Sequence, residues 1–177
     1  MISPPDNPQR WCDFDRLARL VSDQFDRDSH YSPHGPDHWR RVERNGLWLS
    51  THTGADIMVV RIFAWLHDSQ RLNDGHDPDH GPRAAEYAQT LFGDFFEMDE
   101  PAFEALLYAC NGHTHEQSSP DSTIGTCWDA DRLDLGRVGV IPSEEYMSTG
   151  FGRAVARAGS FAPFREELRK AGMREVP

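Results

Sequence analysis

The sequence predicts an all-α fold, a bundle of helices, on three observations. Apolar residues recur at spacings of three and four in one segment after another, the period of a helix with one buried face. Prolines and glycines punctuate those segments near their starts and ends, where helices tolerate them. No stretch alternates apolar and polar residues as a half-buried strand does, and no repeat or low-complexity tract interrupts the pattern.

In order along the chain, residues 1–10 carry Pro4, Pro5 and Pro8 and read as a loose arm. From Trp11 to about Asp28 the positions Phe14, Leu17, Ala18, Val21 and Phe25 follow the helical period. Ser32 to Asp37, with Pro33, Gly35 and Pro36, is a loop, and a helix starts near Pro36 carrying Trp39, Val42, Leu47 and Leu49. Gly54 and Asp56 separate it from an apolar helix that runs into His67 and Asp68. Ser69 to His80 is polar and turn-rich. Pro82 opens the next helix, which ends at Gly93. Pro101 opens another, stopped by Asn111-Gly112, with Phe103, Leu106, Leu107 and Cys110 on one face. Thr114 to Thr123 is a second polar loop, Cys127 to Leu135 is helical, and a last amphipathic helix spans about Phe161 to Ala171. With no break in composition, residues 1–177 read as one domain, long enough to bury a core.

The net charge of −11 disfavours a nucleic-acid polymer as partner, because a diffuse negative surface repels phosphates. A small anion beside a metal ion remains compatible, since the local field of a divalent ion outweighs that surface. Cys12, Cys110 and Cys127 are odd in number and lack CxxC spacing, so they suggest neither a disulfide framework nor an oxidising compartment. The N-terminal residues lack the basic and apolar regions of a secretory signal. The apolar run Ile57 to Leu66, interrupted by Arg61, is too short for a bilayer. The expectation is a cytoplasmic protein with no membrane partner. Trp39, Trp48, Trp65 and Trp128 are spaced as core residues rather than as base-stacking platforms.

The chemistry concentrates in a His-Asp pair, His67-Asp68, closing the run IMVVRIFAWLHD. Imidazole and carboxylate are the groups a protein offers to borderline-to-hard divalent metals. Neighbouring residues on a helix point about 100° apart, so the pair holds one ion only if other segments close the shell. His38 in HGPDHWRRV and Asp131 in CWDADRLDLG are the natural partners. Burying a charged pair at the end of so apolar a segment is costly unless a cation compensates it.

These residues, in this order and with these flanks, resemble the HD superfamily of metal-dependent phosphohydrolases, over roughly Ser32 to Val140. The resemblance implies an HD-domain helical bundle around a central metal site, with His38, His67, Asp68 and Asp131 as ligands. Asp131 is preferred over Asp129 because the family places its last ligand in an Ala-Asp-x-Leu context. Asp129 is then a candidate for orienting a ligand from behind. His80, in HGPRAAEYA, and His113, after the next helix, match where dinuclear branches such as the HD-GYP phosphodiesterases add ligands. They would complete a second site with Asp68 bridging, and His76 and His115 compete for those places. With the four core ligands alone the site is mononuclear and the extra histidines contact phosphate. Asp68 and Arg71 are the catalytic candidates. Arg71 stands where many relatives carry the lysine of an HDxxK pattern, as a cation for phosphoryl oxygens. His34 and His115, with Arg71, are candidate substrate contacts.

The cofactor implied is a divalent metal ion, one or two per chain, with Mn, Fe, Mg, Co and Zn all compatible with a His/Asp shell. The implied activity is hydrolysis of a small phosphate ester, nucleotides included. Two other readings stay open: a dinuclear iron oxygenase of the myo-inositol-oxygenase type, and a non-catalytic, metal-stabilised regulatory domain. The residues leave the oligomeric state open.

Overall fold

Helices account for the structure, a computed structural model that describes residues 10–25, 32–170 and 172. α1 (Phe14–Gln24) starts where the Asp13 side chain accepts from the Arg16 N–H, and it buries Leu17 and Val21. α2 (Pro36–Thr53) has proline in its first turn and ends at Gly54, whose φ of 68° is the left-handed conformation that glycine adopts without a Cβ clash. Its buried face runs through His38, Val42, Asn45 and Leu49, at helical spacing.

α3 (Ile57–Leu66) is capped by Asp56, which accepts from Met58 and Val59 N–H. It is the central element, packed by α1, α2, α4, α5 and α6, which is why it is apolar nearly all round. Arg61, the one charge in that run, lies with its guanidinium 3.5 Å above the Phe14 ring and donates to Glu43. Gly46 of α2 allows the two helices to meet closely. A Cβ there would lie 2.4 Å from Val60 Cγ1.

α4 (His80–Leu91) and α5 (Glu100–Gly112) pack against each other. α6 (Ser122–Arg132), capped by Asp121, packs on α2. α7 (Gly150–Ala158) and a short α8 (Arg165–Lys170) complete the chain. Trp39, Trp65 and Trp128 are core residues, while Trp48 is half-buried. Trp128 also donates its indole N–H to Ala109 O. No helix among the described residues is long and apolar enough to cross a membrane.

Several boundaries differ from the sequence expectation. α6 begins at Ser122 rather than Cys127, because the Asp121 carboxylate accepts from the Thr123 and Ile124 N–H groups and nucleates a helix in a stretch whose Ser, Thr and Gly content reads as loop. α7 is not legible in the sequence because Gly150 and Gly152 depress helix propensity. The Thr149 cap and burial of Val155 and Ala156 override that weakness. α4 starts at His80, before Pro82, and the last helix is a 3-10 turn (Ala162–Phe164) followed by α8. Two two-residue strands, Trp11–Cys12 and Phe96–Glu97, pair antiparallel where helix was expected for the first. Residues 1–9 of the expected arm, the end of the first predicted helix beyond Phe25, and Ala171 lie outside the described residues.

Candidate metal centre

His67 and Asp68 follow directly on α3, at the inner end of its apolar run, and both are buried. His67 donates its Nδ1–H to the Ala64 carbonyl at 3.1 Å, which leaves the Nε2 lone pair facing the interior. His38, in the first turns of α2, places its Nε2 3.1 Å from His67 Nε2. Asp131, from the last turn of α6, brings Oδ1 to 3.2 Å from His38 Nε2 and 3.7 Å from His67 Nε2. Asp68 Oδ2 lies 3.7 Å and 3.8 Å from the same two nitrogens. Four residues from three elements, α2, the end of α3 and α6, thus meet in one knot of donor atoms.

A second knot shares Asp68. Its other oxygen, Oδ1, lies 3.0 Å from His80 Nε2 and 3.5 Å from His113 Nε2, and the two nitrogens are 2.9 Å apart. His113 donates Nδ1–H to Cys110 O at 2.7 Å, and His80 likewise donates to Asp77 O, so both rings are pinned with Nε2 inward. The close approach of α4 to the end of α5 depends on Gly81. A Cβ there would sit 2.7 Å from Cys110 O and 2.9 Å from Asn111 O, both backbone atoms.

The electrostatics follow from burial and neighbours. Burial pushes the Asp68 carboxyl up, but His67 and the hydrogen bonds from His113, His34 and His80 outweigh it and hold it well below the usual carboxylate range. Asp131 is likewise pushed up by burial and pulled well below by its contacts with His38 and His67. Burial lowers His38, yet Asp131 and Asp134 raise it above the ordinary imidazole value. His113 is raised in the same way by Asp68, whereas His67 is lowered, with burial the dominant cause.

This cluster has the donor chemistry of a divalent cation site. Asp131 Oδ1 is buried without a hydrogen-bond donor, which is expensive for a carboxylate oxygen unless a cation faces it. His38, His67, Asp68 and Asp131 would hold one ion, and Asp68, His80 and His113 offer a second trio.

The structure brings His38, His67, Asp68, Asp131, His80 and His113 together. Arg71 joins them: its Nη1 lies 3.2 Å from the His80 ring and 3.7 Å from Asp68 Oδ1, and its Nε is buried and unpartnered. His34 donates Nδ1–H to Asp68 Oδ2 at 2.9 Å. His76 and His115 line the adjoining cavity but remain exposed outside the cluster.

Asp129 requires a correction. Its carboxylate accepts from Ser148 N, Thr149 N and the Thr149 hydroxyl, so it anchors the turn into α7 and orients no cluster histidine. The orienting carboxylate is Asp134, 2.7 Å from His38 Nδ1 and itself held by Arg41 Nε at 2.8 Å. Sequence reasoning takes Asp134 only as a carboxylate near Asp131, a solvated helical acid, although its spacing of three from Asp131 is the helical signal for a shared face. It passes over Arg137, which donates Nε–H to Pro33 O and lies 3.8 Å from Asp131 Oδ1, with Nη1 buried, without a hydrogen-bond acceptor and 3.9 Å from Asp134 Oδ2.

No family model and no curated protein matches this chain. Among solved structures, the crystal structure of a predicted HD superfamily hydrolase from an uncultured Thermotogales bacterium superimposes with a TM-score of 0.66. It covers 88% of this chain and 89% of that one, at 24% identity. The chain has the HD-domain fold. Within an HD-domain fold the residues themselves must carry the argument for function, because fold alone hosts many chemistries.

Proposed function

We propose that this protein is a metal-dependent phosphohydrolase acting on a small phosphate ester. The observation that carries the reading is a pair of cations beside the donor cluster. Arg71 Nε and Arg137 Nη1 are buried without a hydrogen-bond acceptor, next to Asp68 and Asp131 respectively, although Arg137 Nη1 also lies 3.9 Å from Asp134 Oδ2. A buried N–H on a guanidinium with no acceptor favours an anion with several oxygens, and phosphate matches its geometry.

When bound, divalent cations supply positive charge for phosphate oxygens and make a water acidic near neutral pH. His38, His67, Asp68 and Asp131 would hold one such ion, and Asp68, His80 and His113 would hold a second. The side chains then divide the remaining work. Asp68 and Asp131, both ionised across the physiological range, supply the negative charge that retains cations. Asp134 fixes the His38 ring so that its Nε2 lone pair points into the cluster. Arg71 and Arg137 bind the phosphoryl oxygens and stabilise charge that accumulates in the transition state. His34, held by Asp68 at the cavity wall, is placed to return a proton to the leaving alcohol. The balance is simple: a water oxygen bonds to phosphorus, the ester P–O bond breaks, and the alcohol leaves with a proton from that water.

The test is metal analysis of protein purified without chelator, then a panel of phosphate esters assayed for released inorganic phosphate with the metal found. The reading expects bound metal and turnover that a chelator abolishes. Bound metal with no turnover across the panel overturns it in favour of a regulatory domain. Oxygen consumption with a polyol overturns it in favour of oxygenase chemistry.

A further inference from the structure

The cavity beside the cluster is about 860 Å³, far more than a phosphoryl group fills and within the range that takes an organic molecule. Its inner lining is polar and of mixed charge, built by Asp68, Asp131, Arg71, Arg137 and His34. Its mouth is different. Val140, Ile141 and Tyr146 line it and are exposed, Ile141 at 86%. Leu72, 78% exposed, and Val138 adjoin Arg71 and Arg137 in sequence. Three of the eight large apolar side chains left exposed among the described residues thus border one opening. A soluble surface rarely concentrates such residues unless something apolar is received there.

This rim is a fixed strap. Arg137 ties its start to Pro33 O at 2.8 Å. Arg132 ties its far side by donating to Tyr146 O at 2.7 Å and to the Glu116 and Gln117 carbonyls. Asp129 clamps Ser148 and Thr149 behind it. These bonds fix both ends of the segment that carries Val140 and Ile141. Arg132, although it lines the cavity, has committed its guanidinium to three carbonyls. That leaves Arg71 and Arg137, each with one N–H that has no hydrogen-bond acceptor, a complement for one phosphate group rather than a chain of them.

We infer that the strap at Val140 and Ile141, with Tyr146, receives the alcohol part of the substrate, and that the substrate class is phosphate monoesters whose alcohol is apolar. This inference rests on the phosphohydrolase reading above. An apolar alcohol loses its water contact against the rim while the phosphoryl group reaches the arginines, so the two halves of the cavity match the two halves of such an ester.

The experiment compares n-hexyl phosphate with glycerol 3-phosphate, two alkyl esters with alcohol leaving groups, on metal-reconstituted full-length protein. Released inorganic phosphate gives kcat/KM for each, in wild type, in Ile141→Ser and in Val140→Ser/Ile141→Ser. Ile141 is so exposed that its replacement is not expected to disturb folding, and circular dichroism with metal content checks this. The expected result is a wild-type preference for the hexyl ester of about tenfold or more. That preference should fall by about tenfold in the double variant, chiefly through KM, because the contact is made equally in ground and transition states. Turnover of both esters with no preference, or a preference unchanged in both variants, overturns the inference and leaves hydrolysis standing. If the variants instead turn a dimer into a monomer by light scattering with the ratio unchanged, the rim is a contact between copies of the chain and the inference again fails. Fully metallated wild type that releases phosphate from neither ester, nor from any member of the wider panel, overturns the hydrolase reading and this inference with it.

Discussion

Asp134 shows what one carboxylate outside the donor knot does for it. It accepts from His38 and is held by Arg41, so Asp134→Asn should leave the helices intact and weaken metal affinity by about 10–100-fold. A metal titration with wild-type affinity in that variant would count against this role. The raised values of His38 and His113 also set a pH dependence. An ion must displace protons from imidazoles, and raising their affinity for protons makes the competition begin above the free-imidazole value of about 6.5. Metal affinity should therefore already be falling as pH drops through neutrality, and isothermal titration at several pH values checks the slope. An affinity flat from about pH 8 to pH 5.5 contradicts a histidine-rich shell. Cys12 gives a third expectation at this scale: burial, only partly offset by Arg61, pushes its thiol up to about 12. Iodoacetamide at mildly alkaline pH should modify it in unfolded but barely in native protein, as mass spectrometry would show. His38, His67 and Asp68 stood out in the sequence because ligand type and neighbouring context suffice to mark them. Asp134 and Arg137 did not, because a carboxylate and a guanidinium are ordinary surface groups until the fold brings them to His38 and Asp131.

Among elements, the α4–α5 pair decides whether His80 and His113 meet. Gly81→Ala sets a methyl group against two backbone oxygens that have no rotamer to escape into. The variant should lose about 1–3 kcal/mol of stability, as overpacked sites do, and bind less metal while His38, His67 and Asp131 stay in place. Denaturant unfolding and metal analysis together check this, and unchanged metal content with unchanged stability would refute the packing argument. The helices carrying strong apolar periodicity, α2, α3 and α5, were legible nearly to their ends. α7 and the first turns of α6 were not, since capping by Thr149 and Asp121 and contacts distant in sequence overrode a composition that reads as loop.

For the whole molecule, the arrangement puts the costliest groups at the centre. Histidines and carboxylates from five stretches of chain converge at the end of the most apolar helix, α3, where few waters reach them. The bundle around them was readable from periodicity, but the way its segments converge was not, because nothing local encodes which helix ends meet. The net charge of −11 is compatible with the proposed hydrolase, in which an anionic substrate would be attracted locally, by bound cations and by Arg71 and Arg137, rather than by the surface as a whole. The most direct test of this account is metal stoichiometry in Asp68→Ala, because Asp68 alone gives an oxygen to both donor trios. Reconstituted wild type should hold two equivalents per chain, His80→Ala and His113→Ala close to one, and Asp68→Ala little of either, with helicity by circular dichroism preserved in all. Asp68→Ala that keeps the full wild-type metal content would contradict the account at its centre.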